Sequence, residues 1–465
     1  MDTTKRLESE ILLLRHELYS LKQDHEKLWS MNEALIKKNG TLILENQLLQ
    51  NKIIKLEDKL NINSSNSGLP TSMDIYKVDK KKKRGSGLKP GARTGHSRNS
   101  YKFKTPDEII EVTPDETICS CGGQIILSDE YSSHQKMEVE IQPVVSEYRL
   151  YSGRCVCCRK KYKGKLKEYK LLGKNIGAII TSLGGFFNNS KRDIQSILSQ
   201  IFNIDISLGL ISNTEGRVGN KLEGKYNDLM ESVQNSSYLH LDESGANKKG
   251  KRGWCWVATN RESTVFKLTD SRGKKALESF LPEYEGKVIS DRYAVYNIFD
   301  EGKRQVCLAH LRRDFKRFAH SKYVSLSMVG NSLLEVMDIV FATDQAFRSR
   351  KIERLYYLRR MRKSKKRMLH YLKGVLALHE CEQAVRVARN ILKSFDMMWR
   401  FVDDPEIEPT NNLAERQIKH HVKYRKNSLF TWSDRGDRFI ERAKSIYASA
   451  KLQNINPWQE LIAVI

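Results

Sequence analysis

The stretch SSYLHLDESG, residues 236–245, sets the fold of the central region, because its apolar run has the length of a strand and ends at the acid Asp242. Two similar stretches follow it, GWCWVATN (253–260) and STVFKLTD (263–270), both rich in β-branched and aromatic residues. Segments containing Gly or Asn separate the three stretches, as turns do. We therefore predict three successive strands, with Asp242 on the first.

Further elements continue this pattern. KKALESFL (274–281) has a helical pattern, GKVISD (286–291) reads as a buried strand ending at Asp291, and RQVCLAHL (304–311) reads as another strand. The order β-β-β-α-β matches a ribonuclease-H-like layout, in which the first and fourth strands are neighbours. Asp242 and Asp291 are then expected to face one site.

A third acid, Glu415, lies in the helix-like stretch TNNLAERQIK (410–419). Mg²⁺ binds a few carboxylates together with waters and substrate phosphate oxygens, and a pair of such ions can activate the attacking oxygen while stabilising the leaving one. The three acids therefore predict a two-metal phosphoryl-transfer site. For either Asp alone, a turn or strand-end role is the commoner alternative; Glu243 and Asp270 compete with them but fit the topology less well.

Composition narrows the kind of partner. The 465 residues include 81 Lys and Arg against 56 Asp and Glu, a net charge of +25, which favours a polyanion such as nucleic acid. A membrane surface is the alternative, but we find no uncharged apolar run of about 18 to 20 residues and no signal pattern. We expect a cytoplasmic protein with no membrane partner, in which clustered cysteines indicate metal or free thiols before disulfides.

The first 60 residues predict a leucine zipper. Leucine recurs at every seventh position, at Leu7, Leu14, Leu21, Leu28, Leu35, Leu42, Leu49 and Leu56. The facing heptad positions include Asn32, Asn39 and Asn46, which favour a parallel two-stranded coiled coil. We predict a homodimer or higher oligomer through this segment; an amphipathic helix packed on its own domain is the alternative.

Residues 61–100 read as a linker with a basic run at 80–84. Either a flexible arm along a phosphate backbone or a solvated linker fits this composition. Two cysteine pairs follow, and the four thiols of a tetrahedral Zn²⁺ site would be Cys119, Cys121, Cys155 and Cys158. A reduced, metal-free β-hairpin unit is the alternative, because only one residue separates the first pair.

Two helical regions flank the predicted core. Before it, two short helices joined by a turn near 203–206 resemble a helix-turn-helix whose second helix, opening at Ser207, would enter the major groove; many helical pairs bind nothing. After it, the stretch RSRKIERLYYLRRMRKSKKRM (348–368) carries a dense positive stripe with Tyr356 and Tyr357 interleaved. This stripe is either a solvated face or a set of contacts to a nucleic acid backbone.

Several motifs together resemble one family. The chain is similar to the bacterial DDE transposases of insertion-sequence family IS66 (TnpC-type), nearly end to end. The motifs that carry the resemblance are the zipper, KPGARTGH (89–96), the cysteine knuckles, HLDESG (240–245), SDRYAVY (290–296), CLAHLRRDF (307–315), NNLAER (411–416), RKNSLF (425–430) and SDRG (433–436). The chain departs from the pattern at Thr410, where members often carry Asp, and in the spacing of the first cysteine knuckle.

The resemblance implies a ribonuclease-H-like catalytic core with an inserted helical domain. It maps the catalytic acids onto Asp242, Asp291 and Glu415, which would hold two Mg²⁺ or Mn²⁺ ions. His310, Arg312 and Arg313 are candidates for steadying a phosphate, since Arg offers a planar fork to its oxygens; structural pairing is the alternative for them.

The implied activity is cleavage and transfer of DNA strands at the ends of a mobile element. The implied location of the protein is the bacterial cytoplasm, in association with the nucleoid. The partners would be double-stranded DNA, namely the terminal repeats and the target, a second copy of the chain, and small accessory proteins encoded by the same element. A DNA-binding regulator or architectural protein without chemistry, or a general ribonuclease-H-like nuclease, are the alternatives.

We thus predict a multidomain α+β protein. Its expected segments are a coiled coil (1–60), a basic linker (61–100), a zinc-finger-like module (101–170), a helical DNA-binding domain (171–235), the first part of the catalytic core (236–320), an all-α insertion (321–405), and the second part of the core with a C-terminal helix (406–465).

Overall fold

The computed structural model describes residues 2–60, 104–166, 170–428 and 431–465. It is a mixed helix-and-sheet protein, about 58% helical, that begins with one long helix. The predicted linker 61–100 lies outside the described residues.

The described helices are α1 (Asp2–Leu60), α2 (Lys174–Thr181), α3 (Lys191–Phe202), α4 (Leu208–Lys221), α5 (Glu223–Gln234), α6 (Lys274–Phe280), α7 (Leu308–Ala319), α8 (Val324–Arg348), α9 (Arg354–Val375), α10 (Glu382–Lys393), α11 (Arg400–Asp403), α12 (Asn412–Asn427), α13 (Asp434–Leu452) and α14 (Pro457–Val464). The strands are β1 (Ser152–Arg154), β2 (Lys161–Lys163), β3 (Tyr238–Lys248), β4 (Lys251–Thr259), β5 (Thr264–Thr269), β6 (Lys287–Ser290) and β7 (Arg304–Val306).

The central sheet has the order β5-β4-β3-β6-β7. Strands β3, β4 and β5 pair antiparallel, while β6 and β7 run parallel to β3. The β3–β4 hairpin turns at Lys249 and Gly250, both at positive φ, which suits the right-handed twist of the strands. The sequence prediction of a strand through 311 was wrong at its end: helix α7 begins at Leu308. An apolar run this short does not distinguish strand from buried helix.

Helix α13 covers the outer edge of the sheet. Its Glu441, Ser445 and Ser449 lie one turn apart on one face, and each accepts a hydrogen bond from a backbone N–H of β5. These distances are 2.7–2.9 Å, and all three side chains are buried. The edge strand, whose free N–H groups would otherwise invite pairing with another chain, is therefore closed within the molecule.

Helices α2, α4 and α5 share the core of the sheet. Val218, Leu222 and Val233 belong to the same buried cluster as Leu241 and Trp256. The helix pair predicted near the turn is present as α3 and α4, and the Ser207 side chain caps α4. Helix α4 is packed against α2, α3 and α13, and five of its residues between 214 and 219 are buried. Only a narrow face of α4 is left for contact with DNA. The insertion of α4 into the major groove remains a prediction.

Helices α8 to α11 form a second hydrophobic core beside β6 and β7. Leu333, Val336, Met337 and Val340 of α8 are fully buried there. Helix α8 is also the one described helix whose length and apolar composition would allow it to cross a membrane. Core helices pass the same test, and its packing against α7 and α9 accounts for its apolar residues.

Candidate active site

Asp242 and Asp291 occupy equivalent positions on adjacent parallel strands. In the ladder between β3 and β6, His240 is paired with Ile289. Each acid lies two residues beyond that pair, so both point to the same face of the sheet. The parallel register therefore brings the two carboxylates side by side where β6 ends.

Asp242 lies in a strongly acidic environment. Burial raises the pKa of its carboxyl well above the ordinary value, and the negative charges of Glu243, Asp291 and Glu415 raise it further. The backbone N–H of Glu243 donates to Asp242 Oδ1 at 2.9 Å and favours the charged form. Asp291 and Glu415 are therefore close enough to Asp242 to act on its charge, although the three acids come from β3, the end of β6 and α12.

The neighbouring acid Glu243 is tied to other side chains. It accepts hydrogen bonds from Arg272 and from the hydroxyl of Tyr296, and burial raises the pKa of its carboxyl. The guanidinium of Arg272 lies 3.7 Å from the ring centroid of Tyr293 and 4.8 Å from that of Trp254. Glu243 thus anchors a stacked arginine, which distinguishes its position from that of Asp242.

The loop carrying Asp291 is held from two sides. The backbone N–H of Tyr293 donates to Asp291 Oδ1 at 2.8 Å. The buried Arg304 of β7 donates to the carbonyl of Asp291 at 2.8 Å and to Asn297 Oδ1 at 2.6 Å. Nothing in the local sequence distinguishes Arg304 from the many surface arginines, so sequence reasoning missed it.

Glu415 lies in the first turn of α12, facing α7. Its Oε1 is 3.7 Å from His310 Nδ1, and its Oε2 is 4.0 Å from Arg313 Nη2. Arg312 instead forms an ion pair with Asp338 of α8, at 2.6 Å. Of the three predicted phosphate contacts, the structure thus brings His310 and Arg313 to the acids.

The residues present fit a divalent cation. Glu415 Oε1 is buried and has no hydrogen-bond donor among the described residues, which suits an oxygen that binds a metal. In the described part of the chain, three ligand atoms come within 4.8 Å of one another at Cys307, His310 and Glu415. The Cys307 thiol is a poor ligand, because burial raises its pKa to about 11 and its sulfur accepts the Asn411 N–H. The remaining donors of this group are the Glu415 carboxylate and the His310 imidazole, which are compatible with a divalent cation; Asp242 and Asp291 are not part of the group.

The four cysteines proposed for zinc lie on two separate turns. Hydrogen bonds from Cys121 lower the pKa of Cys119, and those from Cys158 lower the pKa of Cys155, so each pair interacts within itself. Across the described ranges these thiols form no group of three within ligand distance. Zinc binding remains a prediction.

The fold and the site together define a helix-and-sheet protein with an acidic centre where β6 ends beside the middle of β3. The family model described as Transposase IS66 family matches residues 192–438. This chain belongs to that family.

Two relatives from Sinorhizobium fredii (strain NBRC 101917 / NGR234) are similar in sequence. The uncharacterized protein y4qI is 22% identical over 55% of this chain and 52% of its own length. The uncharacterized protein y4jD is 24% identical over 45% of this chain and 43% of its own length. The chain thus spans about half the length of the relatives it matches.

Proposed function

We propose that this protein is a DNA transposase that cuts the ends of an insertion sequence and transfers the strands to a target, with Asp242, Asp291 and Glu415 as its catalytic acids. The observation that supports this most is the convergence of the three carboxylates, two from equivalent positions on parallel strands and one from α12. Neighbouring carboxylates repel each other, and that cost is offset when cations, or a phosphate with its cations, bind between them.

The strand order supports a ribonuclease-H-like core built from residues 236–320 and 406–465, interrupted by the helical insertion 321–405. Within it, Asp242, Asp291 and Glu415 would hold two Mg²⁺ or Mn²⁺ ions, which supply activation of the attacking oxygen and charge stabilisation of the leaving one. Tyr293 N–H and Arg304 orient Asp291. Arg272 and Tyr296 hold the Glu243 carboxylate, so we assign it no part in binding the ions.

His310 and Arg313 are placed to contact the scissile phosphate beside Glu415. Arg313 offers planar N–H donors, and His310 Nδ1 is buried without a partner among the described residues. Either group can stabilise negative charge that develops on a phosphate oxygen during cleavage. Both come from α7, which starts directly after the short strand β7.

Outside the core, two surfaces support the proposed partners. The leucines of α1 are exposed along the helix, with Leu21 70% accessible, and an apolar stripe of that length fits a second copy of the chain. Helix α9 contains no acidic residue and presents Arg359, Arg362, Lys363 and Lys366 to solvent, which fits the backbone of double-stranded DNA. The proposal also includes binding of small accessory proteins encoded by the same element and of Zn²⁺ at the cysteine knuckles.

The test is cleavage of a labelled duplex that carries the inverted repeat flanking the gene, in the presence of Mg²⁺. We expect the intact protein to cut it, and Asp242→Asn, Asp291→Asn and Glu415→Gln to lose at least about a thousandfold in rate while still binding the duplex. Asp270→Asn is the matched control, because Asp270 is an exposed carboxylate paired with Lys248. Cleavage that survives all three substitutions would contradict the proposal.

The same experiment separates the alternatives. A regulator without chemistry predicts binding of the repeat with no cutting by the intact protein. A general nuclease predicts equal cutting of the repeat and of a scrambled duplex of the same length. A transposase predicts cutting at the repeat end and joining of the exposed 3′-hydroxyl to a target.

A further inference from the structure

Asn411 bonds to two of the elements that carry the candidate acids, β3 and α12, and to the start of α7. Its side-chain Nδ2 donates to the carbonyl of Leu241 at 2.7 Å, next to Asp242 in β3. Its own carbonyl accepts the N–H of Glu415 at 3.1 Å. Its backbone N–H donates to Cys307 Sγ at 3.1 Å, at the start of the helix that carries His310.

The geometry of Asn411 is unusual for its place in a helix. It is the N-cap residue of α12, and an Asn there ordinarily accepts an N–H of its own helix. Here the side chain makes no such bond. Its Nδ2 bonds to Leu241, and its Oδ1 lies 3.2 Å from His240 Nδ1, which leaves the oxygen to accept from that ring.

Burial makes these bonds costly to lose. Asn411 is 1% exposed, and His240 is fully buried. The parallel ladder between β3 and β6 ends at His240, and the amide of Asn411 bonds to the carbonyl of the next residue. A carbonyl and an imidazole N–H buried without partners are strongly disfavoured, so this amide has a defined role that an apolar side chain cannot fill.

We propose that Asn411 is a positioning residue that sets the separation of the Asp242 and Glu415 carboxylates, and with it the affinity of the site for divalent cations. One residue bonded to both elements fixes the register of α12 against β3. Groups that orient metal-binding side chains typically change metal affinity or activity by about 10- to 100-fold when removed. This inference rests on the proposed function, because it assigns a metal-binding role to the two acids.

The neighbouring Asn412 supplies the matched control. The two asparagines are adjacent, but Asn412 is exposed, so Asn412→Ala removes the same amide without touching β3. Asn411→Ala removes the bonds to Leu241 and His240. Asn411→Ser is a second variant that protects against failure to fold: Ser is a favourable N-cap for α12, yet its side chain is too short to replace the amide.

The experiment measures Mn²⁺ binding by titration calorimetry on the full-length protein without DNA, and then the single-turnover rate on the repeat duplex. We expect the Kd for Mn²⁺ to rise about 10-fold or more in Asn411→Ala and Asn411→Ser and to stay unchanged in Asn412→Ala. The cleavage rate should fall in the same two variants while the Kd for the duplex stays within twofold, because a merely structural defect would weaken both.

Two results would overturn the proposal. One is a folded Asn411→Ser protein that binds Mn²⁺ as tightly as the intact protein does. The other is an intact protein that binds no Mn²⁺. An intact protein that binds Mn²⁺ but does not cut the repeat would overturn only the proposed function, so the two failures are distinguishable.

Discussion

His310 Nδ1 lies 3.7 Å from Glu415 Oε1, and neither atom has a hydrogen-bond partner among the described residues. A buried donor or acceptor without a partner is uncommon in a folded protein. Here these two atoms face each other at a distance slightly too long for a direct hydrogen bond. The two atoms are therefore close enough to contact one shared cation, water or substrate oxygen.

Replacing His310 tests this arrangement. We expect His310→Ala to reduce the single-turnover cleavage rate by about 10²-fold, because it removes a group that we propose contacts the reacting phosphate. Arg317→Ala is the control on the same helix, since Arg317 bonds to Gln383 and should leave the rate unchanged. Equal rates for both variants would remove His310 from the site.

The leucine stripe of α1 predicts self-association. Leu28→Glu combined with Leu35→Glu should lower the mass measured by sedimentation equilibrium, because two charges in a coiled-coil seam oppose pairing. Lys37→Glu, two positions after Leu35 on the opposite side of the heptad, introduces the same charge outside the seam and should leave the mass unchanged. A mass that is the same for all three proteins would place any association elsewhere.

The sequence predicted the site's acids better than their supports. Asp242 and Asp291 could be paired from the strand order, because neighbouring parallel strands place them at equivalent positions, although β3 itself continues to Lys248. Arg304 and Asn411 could not be found this way. Each acts through bonds to residues far away in the chain, and its local surroundings resemble those of an ordinary strand arginine or a helix cap.

The same limit applies to the surroundings of the helices. Glu441, Ser445 and Ser449 form a polar stripe that reads as a solvent face of α13, yet they are buried against the N–H groups of β5. Helix α4 is predicted to enter the major groove, and its sequence does not reveal that α2, α3 and α13 pack against it and leave only a narrow face open. Periodicity identifies which face of a helix is polar. Long-range packing decides whether the polar side chains on that face form hydrogen bonds with water or with the edge of a strand.

The raised pKa of Asp242 predicts a pH-dependent effect on stability. A carboxyl whose pKa is higher in the folded than in the unfolded protein binds more protons when folded, so stability is lost as pH rises from about 4 through the folded pKa. Asp242→Asn lacks this loss. Without divalent cations we expect the variant to melt about 2–4 °C above the intact protein at pH 7 and at the same temperature at pH 4.

Divalent cations should reverse that difference. If Asp242 binds Mg²⁺ as proposed, the ion raises the Tm of the intact protein by mass action, whereas Asp242→Asn lacks that ligand and responds less. Differential scanning fluorimetry at both pH values, with and without Mg²⁺, measures all four cases. A Tm difference that does not depend on pH would mean that the protonation of Asp242 does not cause it.

The last prediction concerns how the protein holds DNA. Arg359, Arg362, Lys363 and Lys366 of α9 make no ion pair with the described residues, and Tyr356 on the same helix is 50% exposed. Cations that contact phosphates release counterions, so each contact steepens the dependence of binding on salt by about 0.9 in the slope of log K against log salt concentration. Changing all four residues to Gln should therefore make that slope shallower by up to about 3 to 4.

The matched control changes the same amount of charge elsewhere. Lys22, Lys27, Lys37 and Lys38 of α1, all changed to Gln, lower the net charge equally but lie on the exposed zipper helix. Fluorescence anisotropy over a series of salt concentrations gives both slopes. If α9 contacts the DNA backbone, its variant alone shows the large change in slope, because long-range steering by net charge is common to both variants whereas counterion release is local to the contact. Equal slopes in the two variants would make the α9 stripe a solvated face.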